Sequence, residues 1–72
     1  FRECIVSIES AQNIVVVKTM SGLANGACSA LDNMEINDIV GSLAGDDTVI
    51  LIMRTNQVAG ALAREIESML EG

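Results

Sequence analysis

The sequence predicts an α+β fold, a two-layer sandwich in which one four-stranded, largely antiparallel sheet carries two helices on one face. Three observations lead to this prediction. Two segments are rich in β-branched residues, which is typical of strands. Two other segments space their apolar residues as one face of an α-helix does. The resulting order, β-β-α-β-β-α, fits a chain of 72 residues as one domain, residues 1–72.

The first two strands are expected to form a hairpin. The first covers residues 3–9, with apolar side chains on one face. Those side chains are Cys4, Val6 and Ile8. The second covers residues 14–20 and is strongly β-branched. The polar run 10–13 is the expected connection.

Ser21 is the expected N-cap of the first helix, because its hydroxyl can accept a hydrogen bond from a free helix amide. The apolar face of this helix comprises Leu23, Ala27, Ala30, Leu31 and Met34. Gly26 costs roughly 1 kcal/mol relative to Ala in a helix interior, which indicates close packing against its backbone. Residues 34–38 form the connection that follows.

The second hairpin is predicted over residues 39–44 and 48–54. Gly45 and Asp46 supply its turn, since Gly tolerates positive φ and Asp bonds its own backbone. Asn56 is the expected cap of the final helix. The apolar stripe of that helix is Val58, Leu62, Ile66, Met69 and Leu70.

The composition excludes several classes of function. A net charge of −6 with four scattered basic residues repels a phosphate backbone, so this chain by itself is not expected to bind nucleic acid. It has no His, Tyr or Trp and no activated nucleophile, so neither an enzyme nor a metal or cofactor site is expected.

The cysteines and the ends of the chain indicate the setting. Cys4 and Cys28 suit a reducing compartment as small buried apolar residues, although a single bridge is conceivable. No signal peptide or spanning segment is apparent, so a cytoplasmic protein without membrane contact is expected. The chain starts without Met, close to a predicted strand, which indicates a domain of a longer protein.

Both faces of two predicted strands are apolar. Val15 and Val17 alternate with Val16 in the second strand, and residues 49–53 have the same double character. Such strands are normally buried on both sides, whereas two helices cover only one face. A large apolar patch is unusual on a monomer. We therefore expect other copies of the chain to cover the second face.

The most informative polar feature is the adjacent pair Asp46 and Asp47 at the second hairpin reversal. Adjacent carboxylates repel each other, and a cationic partner would remove that cost. A solvated Asp-rich turn is the plain structural alternative. A divalent cation is another, although adjacent residues are poor co-ligands for one ion without oxygen ligands from elsewhere.

A second polar group lies on the first predicted helix. Asn25 and Asp32 are two turns apart on one side of it, with Ser29 between them. A solvated helix face is the alternative, and Asp32 in an ordinary ion pair with Lys18 is another.

These residues also carry a family resemblance. Residues 41–49 have the sequence G-S-L-A-G-D-D-T-V, which resembles the G-T-I-A-G-D-D-T-I signature of bacterial arginine repressors. Residues 18–22, K-T-M-S-G, and 30–32, A-L-D, resemble the same family at the expected separation. The similarity covers essentially the whole chain and is to that family's C-terminal oligomerisation and effector-binding domain.

The resemblance implies a hexamer of two stacked trimers, with L-arginine bound between the trimers as co-repressor. The ligand contacts that it implies are Asn25, Asp32, Ser42, Ala44, Asp46 and Asp47. We expect Asp46 to accept the guanidinium, and Asp47 with Asp32 to receive the α-ammonium. The Ala44 contact would be through its backbone. The family also implies a transcriptional repressor of arginine metabolism, whose N-terminal DNA-binding domain is absent here.

The main competing hypothesis is a purely structural oligomerisation module. In that case Asp46 and Asp47 form a solvated turn, and the assembly state does not respond to added amino acids.

Overall fold

The computed structural model describes residues 2–71 and has the predicted order of strands and helices. A short 3-10 helix, Arg2–Cys4, precedes strands β1 (Ile5–Ala11) and β2 (Ile14–Thr19). Helix α1 (Ala24–Asn33), strands β3 (Ile39–Ala44) and β4 (Thr48–Met53), and helix α2 (Asn56–Glu71) follow. The predicted α+β fold is confirmed.

The four strands form one sheet in the order β1-β2-β4-β3, and all neighbours are antiparallel. The two central strands, β2 and β4, are the ones whose sequences are apolar on both faces. Helix α2 packs mainly over β1 and β2, and α1 packs over β3 and β4. Helix α1 therefore lies beside the hairpin that carries the two adjacent aspartates.

The hydrophobic core lies between the helices and one face of the sheet. The sheet contributes Val15, Val17, Val49, Leu51 and Met53, all fully or almost fully buried. The helices contribute Ala24, Ala27, Leu31, Ala59, Leu62, Ala63 and Ile66. Each buried Val, Leu or Ile stabilises the fold by about 1.5–3 kcal/mol, so aliphatic packing holds the two layers together.

Within residues 2–71, no helix covers the opposite face of the sheet. Cross-strand register places Leu43 beside Ile50 and Ile50 beside Val16, with Ile52 and Ile14 paired in the adjacent row. Leu43 is 73% exposed and Ile52 is 38% exposed. We call these five residues the bare face; the other three, Ile14, Val16 and Ile50, are half-buried. This face accounts for the double apolar character of the central strands.

The first strand differs from its prediction. Residues 2–4 form the 3-10 helix, and β1 extends to Ala11. Val6 is 65% exposed, so its predicted place on the buried face with Ile8 is wrong. The reason is a bulge: Ile5 pairs with Thr19 and Ser7 with Lys18, which leaves Val6 without a cross-strand partner.

The predicted helix caps are also wrong. Leu23, not Ser21, occupies the N-cap position of α1, and no side chain caps that helix. In α2, Asn56 is already helical, and the Thr55 hydroxyl accepts a 3.1 Å hydrogen bond from the Val58 amide. The strand ends shift by one residue, to Thr19 and Met53.

Candidate functional site

The turn containing Asp46 and Asp47 is attached to the segment that leads into α1. The Asp46 main-chain carbonyl accepts hydrogen bonds from the Gly22 amide at 3.0 Å and the Ala24 amide at 3.3 Å. The Asp47 carbonyl accepts one from the Thr19 amide at 2.7 Å. The Ala24 amide at the start of α1 would otherwise lack a partner within the helix. The Asp46 carbonyl accepts its hydrogen bond, so no side-chain cap is needed for this amide.

Gly22 makes this attachment possible. Its φ is +80°, in the left-handed region that glycine adopts at little cost. Gly45, which we expected to use this freedom, does not have a positive φ. It instead donates its amide to the Thr48 carbonyl at 2.8 Å and closes the hairpin.

A chain of three side chains connects α1 to β3. The Cys28 thiol donates to the Ser42 hydroxyl at 3.4 Å, and Ser42 donates to the Asp32 carboxylate at 3.3 Å. Ser42 has one proton and two acceptor lone pairs, so one lone pair remains for a further donor. Together, Ser42 and Asp32 offer only acceptors to an approaching molecule.

Asn25 and Ala44 lie toward the other end of the same two elements. Asn25 is exposed in the first turn of α1. It directly follows Ala24, whose amide donates a hydrogen bond to the Asp46 main-chain carbonyl. Ala44 ends β3, is half-buried, and pairs with Val49 on the helix side of the sheet. The helix rises about 10 Å between Asn25 and Asp32, so the two ends of this region are well separated.

We call the exposed polar surface along α1, β3 and the β3–β4 turn the acceptor groove and define it by Asn25, Asp32, Ser42 and Asp46. The Asp46 carboxylate has no hydrogen-bond partner among residues 2–71. Three of these residues are carboxylates or hydroxyls in acceptor roles, and all four are exposed. The groove is therefore open to solvent in a single chain and can take up hydrogen-bond donors, above all cations.

Asp47 makes a different contact. Its carboxylate accepts from the Thr48 hydroxyl at 2.9 Å, and that hydroxyl accepts from the Lys18 ammonium at 3.1 Å. The ion pair between Lys18 and Asp32, which the sequence analysis gave as an alternative, does not form, because the strand register places Lys18 opposite Thr48. The structure joins Asp32 to Ser42, and Asp47 to Thr48 and Lys18.

The sequence interpretation missed two contributors to this region, Cys28 and Thr48, and considered Lys18 only as a partner of Asp32. It treated Cys28 as a buried apolar residue and chose Ser29 as the polar neighbour of Asp32. Cys28 is half-buried and is a free thiol. The spacing held a usable signal, because Cys28 precedes Asp32 by one helical turn and shares its side of α1.

Other parts of the molecule offer less. A cavity of about 290 Å³ lies between β1 and α2, and one of about 220 Å³ lies between the α1–β3 connection and α2. Neither is lined by any of the six predicted site residues. In the described range 2–71, no three His, Cys, Asp or Glu residues cluster to hold a metal ion. No helix in the same range is long and apolar enough to cross a membrane.

Comparison with known proteins places the chain among close relatives. Residues 1–68 match the family described as arginine repressor, C-terminal domain. An arginine repressor of Ruminiclostridium cellulolyticum is 44% identical over 69 residues, which is 96% of this chain and 46% of that protein. One from Acetivibrio thermocellus is also 44% identical over 69 residues, covering 96% of this chain and 45% of the relative.

A third relative, the arginine repressor of Pelotomaculum thermopropionicum, is 33% identical over 72 residues, covering 100% of this chain and 48% of that protein. The chain thus spans about half the length of the curated relatives that it matches.

Proposed function

The chain belongs to the arginine repressor family, as its C-terminal domain, and on that premise we propose that it is the L-arginine-sensing oligomerisation domain of a transcriptional repressor of arginine metabolism. L-Arginine is the co-repressor: bound between two trimers, it stabilises their hexamer. In the longer, cytoplasmic parent protein, that hexamer binds operator DNA through an N-terminal domain. The chain performs no chemical reaction of its own.

The direction of the hydrogen bonds in the acceptor groove carries this proposal. The Ser42 hydroxyl donates its proton to the Asp32 carboxylate, so both side chains present only lone pairs at one end of the acceptor groove. At the other end, the main chain of Asp46 is fixed to α1 and its carboxylate has no partner among residues 2–71. A ligand that fits must carry donors at both ends.

L-Arginine has this form, because a guanidinium and an α-ammonium lie at opposite ends of one flexible carbon chain. Asp46 accepts the planar guanidinium through two parallel hydrogen bonds. Asp32 of one chain and Asp47 of a neighbouring chain in the opposing trimer receive the α-ammonium, because within one chain Asp47 lies beside Asp46. The bond from Thr48 leaves Asp47 with further lone pairs for this contact. Asn25, Ser42 and the backbone of Ala44 complete the contacts.

Assembly provides the second half of the proposal. The bare face buries apolar surface between copies of the chain, which supplies a driving force that needs no ligand. Stacking of two acidic trimers brings Asp32, Asp46 and Asp47 of several chains together, and their repulsion opposes the hexamer. The two cationic groups of each arginine remove that repulsion. The ligand therefore binds the hexamer better than the trimer and shifts the equilibrium by that difference in affinity.

Isothermal titration calorimetry with L-arginine tests the site. Asp46→Asn keeps the shape of the residue but removes its charge. If the trimer interface buries the pair of Asp46 and the guanidinium, this change is expected to weaken binding by about 2–5 kcal/mol. Asp38→Asn is the matched control, because Asp38 lies in the α1–β3 connection, outside the acceptor groove. Citrulline, which lacks the guanidinium charge, is expected to bind much more weakly than L-arginine. Equal losses in the two variants, or equal binding of the two ligands, would remove Asp46 from the site.

The purely structural module stays a second candidate, and one observation favours it. The five residues of the bare face lie on the opposite side of the sheet from the acceptor groove, so assembly through that face needs no contribution from the carboxylates. A chain of this kind assembles equally well with and without L-arginine.

A further inference from the structure

The side chains of Lys18, Thr48 and Asp47 form a continuous hydrogen-bonded chain at the end of the sheet. Lys18 Nζ donates to Thr48 Oγ1 at 3.1 Å, and Thr48 Oγ1 donates to Asp47 Oδ1 at 2.9 Å. Lys18 and Thr48 are cross-strand partners in β2 and β4, so the sheet itself fixes their spacing. The 2.7 Å bond from the Thr19 amide to the Asp47 carbonyl holds the same end of the turn.

Among the basic side chains that the structure describes, those of Lys18, Arg54 and Arg64, Lys18 is the one that lies at the aspartate turn. The Arg54 guanidinium donates to the Asn37 carbonyl at 3.4 Å, at the opposite end of the second hairpin. Arg64 lines the cavity between β1 and α2. Among side chains that the structure describes, the Lys18 ammonium is therefore the positive charge that acts on the aspartate turn.

The charge on Lys18 affects which ligand groups can lie beside Asp47. A bound amine must place its positive charge near Asp47, where the Lys18 ammonium, one hydroxyl away, opposes it. An α-amino acid brings an adjacent carboxylate to the same place, and the Lys18 charge attracts that carboxylate. The same lysine thus disfavours a bare amine and favours an amino acid.

We propose that Lys18 is the positioning and specificity-determining residue of the arginine site, orienting Asp47 through Thr48 and selecting α-amino acids over the corresponding amines. This inference rests on the proposed function, because it assigns a role within the same ligand site. Thr48 is the necessary intermediate: its hydroxyl gives its proton to Asp47 and a lone pair to Lys18, so loss of the hydroxyl disconnects the two charges.

Calorimetric titration of the 72-residue chain with L-arginine and with agmatine tests the inference. Agmatine is arginine without its carboxylate, so the two ligands differ only in the group that Lys18 is inferred to recognise. Lys18→Met is expected to raise the affinity for agmatine relative to arginine by about three- to fivefold, the upper end of the range for an exposed charge pair. Lys18→Arg keeps the charge and is expected to keep the ratio.

Two controls distinguish the effect of the position of Lys18 from the effects of net charge and of folding. Arg54→Met makes the same change in net charge at the other end of the hairpin and is expected to leave the ratio unchanged. In an Asp47→Asn background, Lys18→Met is expected to change the ratio by less than it does in the wild-type chain, because the two residues act as one unit. A merely structural role for Lys18 would change both affinities by the same factor.

The outcomes distinguish this inference from the proposed function. If the wild-type chain binds L-arginine and Lys18→Met leaves the ratio unchanged, the role of Lys18 is refuted and the arginine site stands. An equal shift in Arg54→Met also refutes it. If the wild-type chain does not bind L-arginine, both proposals fall.

Discussion

Replacement of Gly22 by Ala is expected to destabilise the chain, because Gly22 has a φ of +80°. A Cβ built at this position meets no atom within 4 Å, so the cost comes from the backbone conformation and not from crowding. An L-residue in the left-handed region costs roughly 1–2 kcal/mol. Relaxation of the turn would instead lose the bond from the Gly22 amide to the Asp46 carbonyl, at a cost of about 1 kcal/mol.

Urea unfolding at one fixed protein concentration measures this effect. The concentration is fixed because the proposed assembly would also stabilise the folded chain. Small domains have slopes near the low end of about 1–3 kcal/mol per molar urea, so the midpoint is expected to fall by about 1 M. The same variant is expected to bind L-arginine more weakly, since Asp46 loses its fixed position.

Gly45→Ala is the matched control within the same region. A Cβ at Gly45 lies 3.8 Å from the Thr48 carbonyl oxygen, an ordinary contact, and its φ lies outside the left-handed region. Its stability is expected to change by less than about 0.5 kcal/mol. A neutral Gly22→Ala, or a Gly45→Ala that costs as much, would refute the account of how the aspartate turn is held.

Two further substitutions test the assembly surface and the helix cap. Leu43 lies on the bare face and is 73% exposed, so Leu43→Asp is expected to dissociate the oligomer while the chain stays folded. Sedimentation measures the assembly and circular dichroism the folding, with Met69→Asp, at an exposed position of α2, as the control. A Leu43 variant that assembles normally would contradict the role of the bare face. Thr55→Ala is expected to cost about 1 kcal/mol, because it removes the acceptor for the Val58 amide. Asn56→Ala is expected to cost less in the same urea titration, and the reverse order would restore Asn56 as the cap.

The periodicity of the sequence was sufficient to predict the fold, because the two central strands and the two amphipathic helices are long and regular. The exposed position of Val6 was not predictable in this way. It depends on which residues of β2 lie opposite, and a bulge changes the alternation without changing the composition.

The local errors in the turns have a common physical cause. Ser21 and Gly45 have the right chemistry for a cap and for a positive φ, but contacts between distant segments decide both positions. The Asp46 carbonyl accepts hydrogen bonds from the Gly22 and Ala24 amides, so α1 begins without a serine cap. The residue with a positive φ is consequently Gly22 and not Gly45.

The candidate site was predictable in its residue types and less so in its connections. Spacing placed Asp32 on one side of α1, and the adjacent aspartates identified the turn. The bond between Asp32 and Ser42 depends on how α1 packs on β3, as does the participation of Cys28. Ligand contacts by the six site residues stay a prediction.

Sedimentation velocity at low protein concentration, with and without excess L-arginine, tests the central claim most directly. The account predicts that L-arginine converts a trimer into a hexamer and that citrulline at the same concentration does not. An oligomer whose size is the same under all three conditions would contradict arginine-linked assembly and leave a structural module. A monomer under all three conditions would also contradict the assembly role of the bare face.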